Sequence, residues 1–309
     1  MITNKPTVTI GIPAYKEANN LKVLLPVLLD QNHHFYHLEK IIVVCDGCDQ
    51  DTTNVIKKLR SKKISLLINT RRSGQQYSQN RIVKNCHSDI LIFLEADTLP
   101  YNNHIIDYLV HPFTDKNSQF DMVVGVPLPS KPDNYFEKIL NQGHSIKQEI
   151  FSHWKNGINV YTAGGHSMKA LSRRFYQKLQ WPISAPEDAY VYFSLRRLGL
   201  KMFRSTQAKS LMKNVSNLTD RYKQCSKFQA GKKALKKYFD VSYLDNEYRL
   251  SFFLILKVVI YNLFKHPVLT GLYLAEVGIN RIITDNKTKF NPLYEPYLSS
   301  KRLTYETKH

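Results

Sequence analysis

Acidic residues follow three short apolar segments in the first third of the chain, each at the point where its segment ends. Glu17 comes after the first segment, Asp46 after the second, and Glu95 and Asp97 come directly after the fourth. The third segment is followed instead by the basic, glycine-containing run 71–75. A cluster of carboxylates is unexpected in a strongly basic chain, and a bound divalent cation would explain it.

The spacing of Glu95 and Asp97 suits such a cation. Residues two apart in an extended chain point to the same side, so both carboxylates can face one ion. Mg²⁺ or Mn²⁺ prefers carboxylate oxygens and keeps coordination positions for phosphate oxygens, so it would neutralise a leaving diphosphate. The alternative is an ordinary turn in which Asp97 or Thr98 caps a helix.

The elements that must position these residues alternate between strand and helix. Apolar runs at 8–12, 41–44, 64–68 and 90–94 predict strands, and the spacing of apolar residues at 17–30, 52–59 and 76–86 predicts helices. This order predicts a parallel sheet with helices on both faces. Because ligands of such sheets bind beyond the carboxyl ends of the strands, the polar residues there should share one edge.

The second half continues with strands at 122–126 and 201–206 and helices at 134–151 and 188–198. We also predict a short strand at 161–165 that runs into a glycine turn. After residue 207 the composition changes to a stretch dense in Lys and Arg, followed by two apolar runs. We therefore divide the chain into a sheet domain, 1–207, and a basic, helical C-terminal extension, 208–309.

The two apolar runs, 252–264 and 268–279, are interrupted by Lys257 and Glu276. Each is shorter than the ~20 residues that span a bilayer, so no transmembrane helix is predicted. Two interpretations stay open: helices that pack on the sheet domain, or helices that lie in a membrane interface beside the basic stretch.

The net charge of the chain indicates an anionic partner but does not show which class of partner it is. The 309 residues contain 44 Lys and Arg against 25 Asp and Glu, a net charge of +19. This favours nucleic acid, lipid headgroups or phosphorylated substrates. A hydrophobic content of 43% excludes wholesale disorder. Residues 1–12 lack the pattern of a signal peptide, so we expect a cytoplasmic protein.

The cysteines offer one short motif, Cys45-Asp46-Gly47-Cys48. Zinc would require a second pair of ligands nearby, which does not follow, and the spacing of the four cysteines in the chain suggests no disulfide framework. A redox pair is the minor alternative. We expect the two cysteines simply to flank an Asp-Gly turn.

Three segments of the first half resemble motifs of glycosyltransferase family 2, inverting enzymes of the GT-A fold. Residues 11–17 (GIPAYKE) resemble its opening P-x-Y-N-E segment, and residues 43–52 (VVCDGCDQDT) resemble its V-V-D-D-G-S-x-D-x-T segment. Residues 93–98 (FLEADT) resemble its D-x-D metal motif, with Glu in the first place. In that family the acid that matches Asp46 holds the nucleotide base.

The second half carries three further matches. Residues 163–170 (AGGHSMKA) resemble the small-residue turn that forms the floor of the family's acceptor site. Glu187-Asp188 resembles the family's Glu-Asp pair, which contains the general base. Residues 224–228 (QCSKF) resemble the Q-x-x-R-W motif, with Lys for Arg and Phe for Trp. The resemblance covers about residues 7–230, with the motifs in the family's order.

The resemblance implies an α/β fold of the GT-A type: a mostly parallel central sheet with helices on both faces, here followed by the C-terminal helical extension. It implies transfer of a sugar, with inversion, from a UDP-, GDP- or dTDP-linked donor to a hydroxyl of a glycan or lipid-linked acceptor. Mg²⁺ or Mn²⁺ is the implied cofactor. Nucleic acid is not an expected partner, and peripheral contact with the inner face of a membrane stays open.

The resemblance also assigns site residues. A carboxylate, Asp188 or its neighbour Glu187, removes the proton of the acceptor hydroxyl, while a metal at Asp97 and Glu95 offsets the charge of the diphosphate. The alternative is that both acids only complement a helix dipole. The donor side comprises Pro13, Tyr15, Glu17, Asp46, Arg72, Gly74, Glu95 and Asp97, and the acceptor side Gly164, Gly165, His166, Gln224, Lys227 and Phe228.

Two rival functions make different demands on the sequence. A nucleotidyltransferase for sugar phosphates would have a glycine-rich, basic loop after the first strand, and residues 13–17 are not such a loop. A non-enzymatic nucleic-acid-binding protein would have stacking aromatic residues among its basic ones. Tyr222, Phe228 and Tyr238 match that pattern only weakly.

Overall fold

The predicted strands form the centre of one sheet. A computed structural model describes residues 5–115, 119–164, 168–283, 289–295 and 297–300. The strands are β1 (Thr7–Ala14), β2 (His37–Asp46), β3 (Ile64–Asn69), β4 (Ile90–Phe93), β5 (Leu99–Pro100), β6 (Met122–Pro129), β7 (Lys169–Ser172) and β8 (Met202–Met212). Within these described ranges they join in the order β3-β2-β1-β4-β7-β6-β8-β5.

Helices connect the strands and then form the last third of the described chain. They are α1 (Ala18–Leu29), α2 (Gln50–Lys58), α3 (Gln75–Lys84), α4 (Ile105–Thr114), α5 (Tyr135–His153), α6 (Arg173–Tyr176), α7 (Glu187–Arg197), α8 (Leu218–Leu235), α9 (Val241–Tyr248), α10 (Phe252–Lys265) and α11 (Pro267–Ile283). Short 3₁₀ helices occur at Trp154–Gly157 and Leu298–Ser300.

Both faces of the sheet are covered, as the sequence of its strands predicts. Side chains alternate across a strand, so a continuous apolar run must be buried on both sides. In β2, Ile41, Val43 and Cys45 enter one core cluster, whereas Ile42 and Val44 enter the other. The sheet therefore has a core layer on each face.

The sheet is parallel in its first half and mixed in its second. β1 pairs in parallel with β2 and β4, and β2 with β3. β7 is antiparallel to β4 and to β6, while β8 is parallel to β6 and antiparallel to β5. The predicted α/β fold, with a mostly parallel sheet, helices and a helical C-terminal region, is confirmed.

One predicted strand is wrong. Residues 161–164 form a turn, and the strand of this region begins at Lys169. The side chain of Asn159 accepts hydrogen bonds from the backbone N–H groups of Tyr161 and Thr162, each at 3.1 Å. Such a local side-chain bond offers the backbone an alternative to a strand ladder, and apolar content alone does not reveal it.

Two elements between residues 98 and 122 were not predicted, and several strands are longer than predicted, β8 among them. β5 has only two residues, too few for any periodic pattern. In α4 the buried residues Ile105, Ile106, Leu109 and Val110 follow helical spacing. β8 continues to Met212, through the position at which the sequence suggested a domain boundary. The division of the chain into two domains stays a prediction.

The C-terminal helices α10 and α11 pack on α5. Ile146 and Ile150 of α5 share a core cluster with Val258 and Tyr273. The approach is close at Gly143, where an added Cβ would lie 2.1 Å from the ring of Tyr273. In the described part of the chain, none of the helices combines the length and apolar character needed to cross a bilayer.

Candidate active site

The carboxyl ends of three central strands meet at one edge of the sheet. Gly11 of β1 pairs with Phe93 of β4, and Ala14 of β1 pairs with Cys45 of β2. The segments that follow these strands therefore start side by side, as the parallel order predicts.

Beneath this edge lies a small cavity in which charged side chains from distant parts of the chain converge. Glu95 comes from the segment after β4, Lys169 from the start of β7, and Glu187 and Asp188 from the start of α7. Pro13 also lines the cavity. Its volume of about 20 Å³ is too small to hold a sugar, so the cavity itself is not a substrate pocket.

Asp188 forms an ion pair with Lys169. The Nζ atom of Lys169 contacts Oδ1 of Asp188, and the lysine side chain is 8% exposed against 23% for the aspartate. Gly164 lies alongside, since a Cβ added there would be 4.0 Å from Cβ of Asp188. The antiparallel pairing of Lys169 with Phe93 places the lysine next to the edge of β4.

Sequence reasoning did not assign a role to Lys169. The sequence did contain one indication that Lys169 is paired. Lys169 lies between Met168 and the buried residues Ala170 and Leu171, so its charge falls inside a buried strand. Charged residues are rarely buried unless they are paired, so a lysine in this position predicts an acidic partner.

Glu187 is more deeply buried than Asp188. Its Oε2 atom lies 3.3 Å from Nε2 of Gln76, which also donates to the carbonyl of Ala185 at 2.7 Å. Burial raises the pKa of Glu187, Lys227 opposes that rise, and the nearby charges of Asp188 and Glu95 add to it. Of the two adjacent acids, Asp188 is the one with the larger solvent-accessible surface.

Lys227 on α8 brings a second cation to this acidic cluster. Burial alone lowers the pKa of Lys227, but the charge of Glu187, with smaller contributions from Tyr297, Glu95 and Asp188, raises it overall. Its ammonium group lies 5.5 Å from the centre of the Tyr294 ring. Lys227 is therefore close enough to the acids for their charges to act on it, while its role as the counterpart of the family's arginine stays a prediction.

The other two residues of the α8 motif face elsewhere. Oε1 of Gln224 accepts a hydrogen bond from Arg221 at 2.9 Å, and Phe228 is 63% exposed. Gly165 and His166, which were also expected on the acceptor side, lie outside the described residues.

Asp46 shapes the loop before α3. Its carboxylate accepts hydrogen bonds from Nδ2 of Asn69 at 2.8 Å, from the backbone N–H of Ser73 at 2.8 Å and from that of Gly74 at 2.7 Å. Gly74, with φ of 96°, is the residue before α3. Asp46 is nearly buried and therefore fixes this loop; its contact with a nucleotide base stays a prediction.

The turn that carries Asp46 is closed by a disulfide between Cys45 and Cys48. The sequence analysis expected the two cysteines to flank the turn and kept a redox pair only as the minor alternative, so this bond was not the expected outcome. Gly47 has φ of +67°, and a Cβ there would lie 2.8 Å from the backbone nitrogen of Arg72. The turn and the 71–74 loop are thus in close contact, which requires glycine at position 47.

Arg72 and Tyr15 form a stacked pair on the donor side. The guanidinium carbon lies 4.1 Å from the centre of the Tyr15 ring. Arg72 also pairs with Glu295 at 2.7 Å and donates to the carbonyl of Tyr294, so the described C-terminal segment 289–295 reaches this loop. Glu17, which was also predicted on the donor side, is buried and accepts a hydrogen bond from Asn20 at 2.8 Å.

Glu95 and Asp97 are both half-buried in the turn after β4. The backbone N–H of Thr98 donates to the carbonyl of Glu95 at 3.1 Å and closes this turn. In the ranges that the structure describes, no set of three or more His, Cys, Asp or Glu side chains is grouped to hold a metal. Two carboxylates still fit Mg²⁺ or Mn²⁺, since such ions are commonly held by one or two carboxylates together with substrate phosphates.

Solved structures with a similar fold include a mannosyltransferase, TarS and a glucosyl-3-phosphoglycerate synthase. A mannosyltransferase from Pyrobaculum calidifontis, PcManGT, in complex with GDP-Man and Mn²⁺, is 14% identical with a TM-score of 0.59, over 92% of this chain and 77% of that one. S. aureus TarS 1-349 is 13% identical with a TM-score of 0.50, over 84% and 72%.

A third is glucosyl-3-phosphoglycerate synthase from Mycobacterium tuberculosis, in complex with Mn²⁺, uridine diphosphate and glucosyl-3-phosphoglycerate. It is 14% identical with a TM-score of 0.51, over 75% of this chain and 79% of that one. At these identities the likeness establishes the fold alone. No curated protein sequence matches the chain.

A family model tests the family assignment that the motifs suggested. The model described as glycosyltransferase like family 2 matches residues 6–230, which is most of the chain and includes every motif named above. The predicted resemblance is confirmed: this chain is a glycosyltransferase of the family 2 type.

Proposed function

We propose that this enzyme is an inverting hexosyltransferase that moves a sugar from a nucleotide-sugar donor to an acceptor hydroxyl. The observation that carries the proposal is the convergence of Glu95, Lys169, Glu187 and Asp188 on one cavity, although they come from three separate elements or loops. Lys227 of α8 adds a positive charge that acts on the same acids. Three acids and two lysines close to one another provide both a proton acceptor and positive charge for a diphosphate.

Asp188 is our choice of general base. A base must reach the hydroxyl from which it takes a proton, and Asp188 is 23% exposed while Glu187 is buried. Burial also favours the protonated form of Glu187, because it raises the pKa of that carboxyl group. Lys169 holds the Asp188 side chain in place from the strand side.

The proposed reaction is a single displacement. The acceptor hydroxyl gives its proton to the carboxylate of Asp188 while its oxygen forms a bond to the anomeric carbon of the sugar. The bond from that carbon to the diphosphate oxygen breaks, and its electron pair leaves with the nucleoside diphosphate. Attack from the face opposite the leaving group inverts the configuration.

Glu95 and Asp97 would hold Mg²⁺ or Mn²⁺ in this proposal. When bound, the ion supplies positive charge that offsets the charge developing on the diphosphate. Support comes from the paired carboxylates themselves and from the Mn²⁺ in the complexes of the mannosyltransferase and of glucosyl-3-phosphoglycerate synthase. Lys227 adds a fixed positive charge beside the same acids.

The donor side is formed by Pro13, Tyr15, Arg72 and the Asp46–Gly74 loop contact. A stacked aromatic ring and guanidinium suit a nucleotide, whose base stacks and whose phosphates pair with arginine. GDP- and UDP-linked sugars are the first donors to test, since these nucleotides occur in the similar structures, and dTDP-linked sugars are the third.

The acceptor we propose is a hydroxyl of a glycan or of a lipid-linked intermediate, as in the synthesis of envelope polysaccharides. The acceptor side lies next to Gly164 and Lys227, both close to Asp188. We propose that the enzyme works in the cytoplasm, in peripheral contact with the inner face of the membrane. The apolar surfaces of α10 and α11 and the positive net charge support this contact.

The test combines donor binding with transfer. Thermal shifts are measured with UDP-, GDP- and dTDP-sugars, each with and without Mn²⁺, and transfer is measured with the donor that binds. We expect Asp188→Asn to keep the donor-dependent shift and to lose transfer by at least about 100-fold. Glu187→Gln is the matched control and should retain more activity.

Two outcomes would contradict the proposal. Transfer retained by Asp188→Asn would remove Asp188 as the base, and a retained anomeric configuration in the product would remove the single displacement. If no nucleotide sugar stabilises the wild-type chain in either metal condition, the donor assignment is wrong.

A further inference from the structure

The helices α10 and α11 have an inverted distribution of polar and apolar residues. The residues that α10 and α11 bury include the polar side chains Asn262, Thr270, Glu276 and Asn280. Their exposed positions are mostly large and apolar. These are Phe252, Phe253, Leu256, Ile260, Tyr261, Phe264, Val268, Leu272, Leu274, Ile279, Ile282 and Ile283, which we call the apolar helix face.

This orientation is fixed by specific contacts on the inner side. Nδ2 of Asn262 donates to Glu149 of α5 at 3.0 Å, and Oδ1 of Asn262 accepts from Gln142 of α5 at 3.1 Å. Glu276 of α11 pairs with Arg221 of α8 at 2.7 Å. Rotating either helix to bury its apolar side would break these bonds and leave polar groups without them.

The exposure is concentrated on these two helices. Twelve of the 23 large apolar side chains that are exposed in the described chain belong to the apolar helix face. Phe264 is 87% exposed, Ile282 86% and Phe253 79%. A concentration of exposed apolar side chains on two helices that contact each other marks a site that another apolar surface covers.

Charge indicates what covers the face. The exposed positively charged side chains of α10 and α11 are Lys257, Lys265 and Arg281, and the exposed His266 lies between the two helices. The single acid of the two helices, Glu276, is buried against Arg221. A second copy of the chain would bring these cations against one another. An anionic lipid surface would instead pair with them and also take up the apolar side chains.

Length indicates how the helices lie. At 1.5 Å per residue, the 14 residues of α10 span about 21 Å and the 17 residues of α11 about 25 Å, both less than the hydrocarbon thickness of a bilayer. Helices of this length with one apolar side and flanking lysines lie in the plane of the headgroups.

We propose that the apolar helix face docks on the surface of a bilayer that contains anionic phospholipid, with α10 and α11 lying in the interface. This inference deepens the membrane contact of the proposed function and rests on it.

The proposed docking surface is also connected to the active site. Arg221, which pairs with α11, precedes the active-site residue Lys227 by six residues, about 9 Å along α8. The helix α11 is therefore linked to the acidic cluster through α8.

The test is sedimentation of the full chain with phosphatidylcholine vesicles, with and without phosphatidylglycerol. We expect binding only with phosphatidylglycerol, and weaker binding at high salt. Phe253→Ser with Phe264→Ser should lower the partition coefficient by on the order of 100-fold, because burying each ring in lipid contributes about tenfold or more. Lys257→Glu with Lys265→Glu should lower it by at least about tenfold.

A matched control replaces two exposed apolar residues elsewhere. Tyr135→Ser with Leu198→Ser removes side chains that are 55% and 42% exposed and lie outside α10 and α11. This variant should bind vesicles as the wild type does. Thermal unfolding of every variant shows whether it is folded, and the two lysine substitutions test the same face without changing its apolar residues.

Three results would overturn the proposal: equal binding to both kinds of vesicle, unchanged binding of the two-phenylalanine variant, or a wild-type dimer that this variant converts to a monomer without any lipid binding. Donor-dependent thermal shifts, measured without vesicles, report on the transferase site alone. If those shifts are absent while vesicle binding behaves as expected, the proposed function fails and the docking surface stands.

Discussion

Replacing Lys169 tests the geometry of the active site most directly. Its ammonium group pairs with Asp188, and the two side chains are 8% and 23% exposed. Removing one partner of a fully buried ion pair costs roughly 3–5 kcal/mol, whereas an exposed pair contributes about 1 kcal/mol or less. Because this pair is buried on the lysine side and partly open on the other, Lys169→Met should lower the free energy of unfolding by about 2–3 kcal/mol.

The assay is a double-mutant cycle in urea. It compares Lys169→Met, Asp188→Asn and the double variant with the wild type. If the two side chains interact as the structure shows, the double variant loses less stability than the sum of the single variants, by more than about 1 kcal/mol. Lys169→Arg is the matched control, because it keeps the positive charge and should retain more stability than the methionine variant.

Transfer kinetics provide the second measurement. Loss of the lysine that positions the base should lower kcat on the order of 10–100-fold, with little change in the KM of the donor. The Lys169→Arg variant should keep part of the kcat that the methionine variant loses. A coupling energy below about 0.5 kcal/mol, or equal kcat for the arginine and methionine variants, would refute the reasoning.

Three further predictions concern the metal, pH and helix packing. Asp97→Ala should abolish the Mn²⁺-dependent part of the donor-induced thermal shift; an unchanged shift would place the metal elsewhere. Because burial raises the pKa of Glu187 above 4.5, the folded protein binds this proton more tightly than the unfolded chain, so the contribution of Glu187 to stability falls as the pH rises from 4.5 through the raised pKa. Glu187→Gln should remove that fall, and parallel pH–stability curves for variant and wild type would contradict it. Gly143→Ala should lower unfolding stability by about 1–3 kcal/mol, because its Cβ would meet the Tyr273 ring at 2.1 Å. Gly278→Ala on α11, where nothing lies within 4 Å, should instead stabilise by about 0.5–1 kcal/mol; equal effects of the two would contradict the packing.

The first half of the fold could be predicted because its signals are local. A run of β-branched residues such as 41–44 is compatible with few structures other than a strand buried on both faces, and the alternation with helices leaves a parallel sheet as the main option. The position of Asp46 and Glu95 at one edge follows from that order alone. The short β5 and the turn at 161–164 escaped prediction because neither carries a periodic pattern.

The order and spacing of the motifs determined the family, and the sequence alone was sufficient for that. It could not show that Lys169 contacts Asp188, or that Glu295 pairs with Arg72 across 223 positions of the chain. These contacts depend on how elements distant in sequence pack together, and no local pattern encodes that packing.

The apolar runs at the C-terminus illustrate the same division. Their composition predicted two helices too short to span a bilayer and left open whether these helices pack on the sheet domain or lie in a membrane interface. It also did not show which side of each helix faces the protein. The structure decided this, because Gln142, Glu149 and Arg221 bind the polar sides of α10 and α11 and leave the apolar sides outward. Sequence periodicity defines the faces of a helix, whereas the partners supplied by the rest of the fold determine which face is buried.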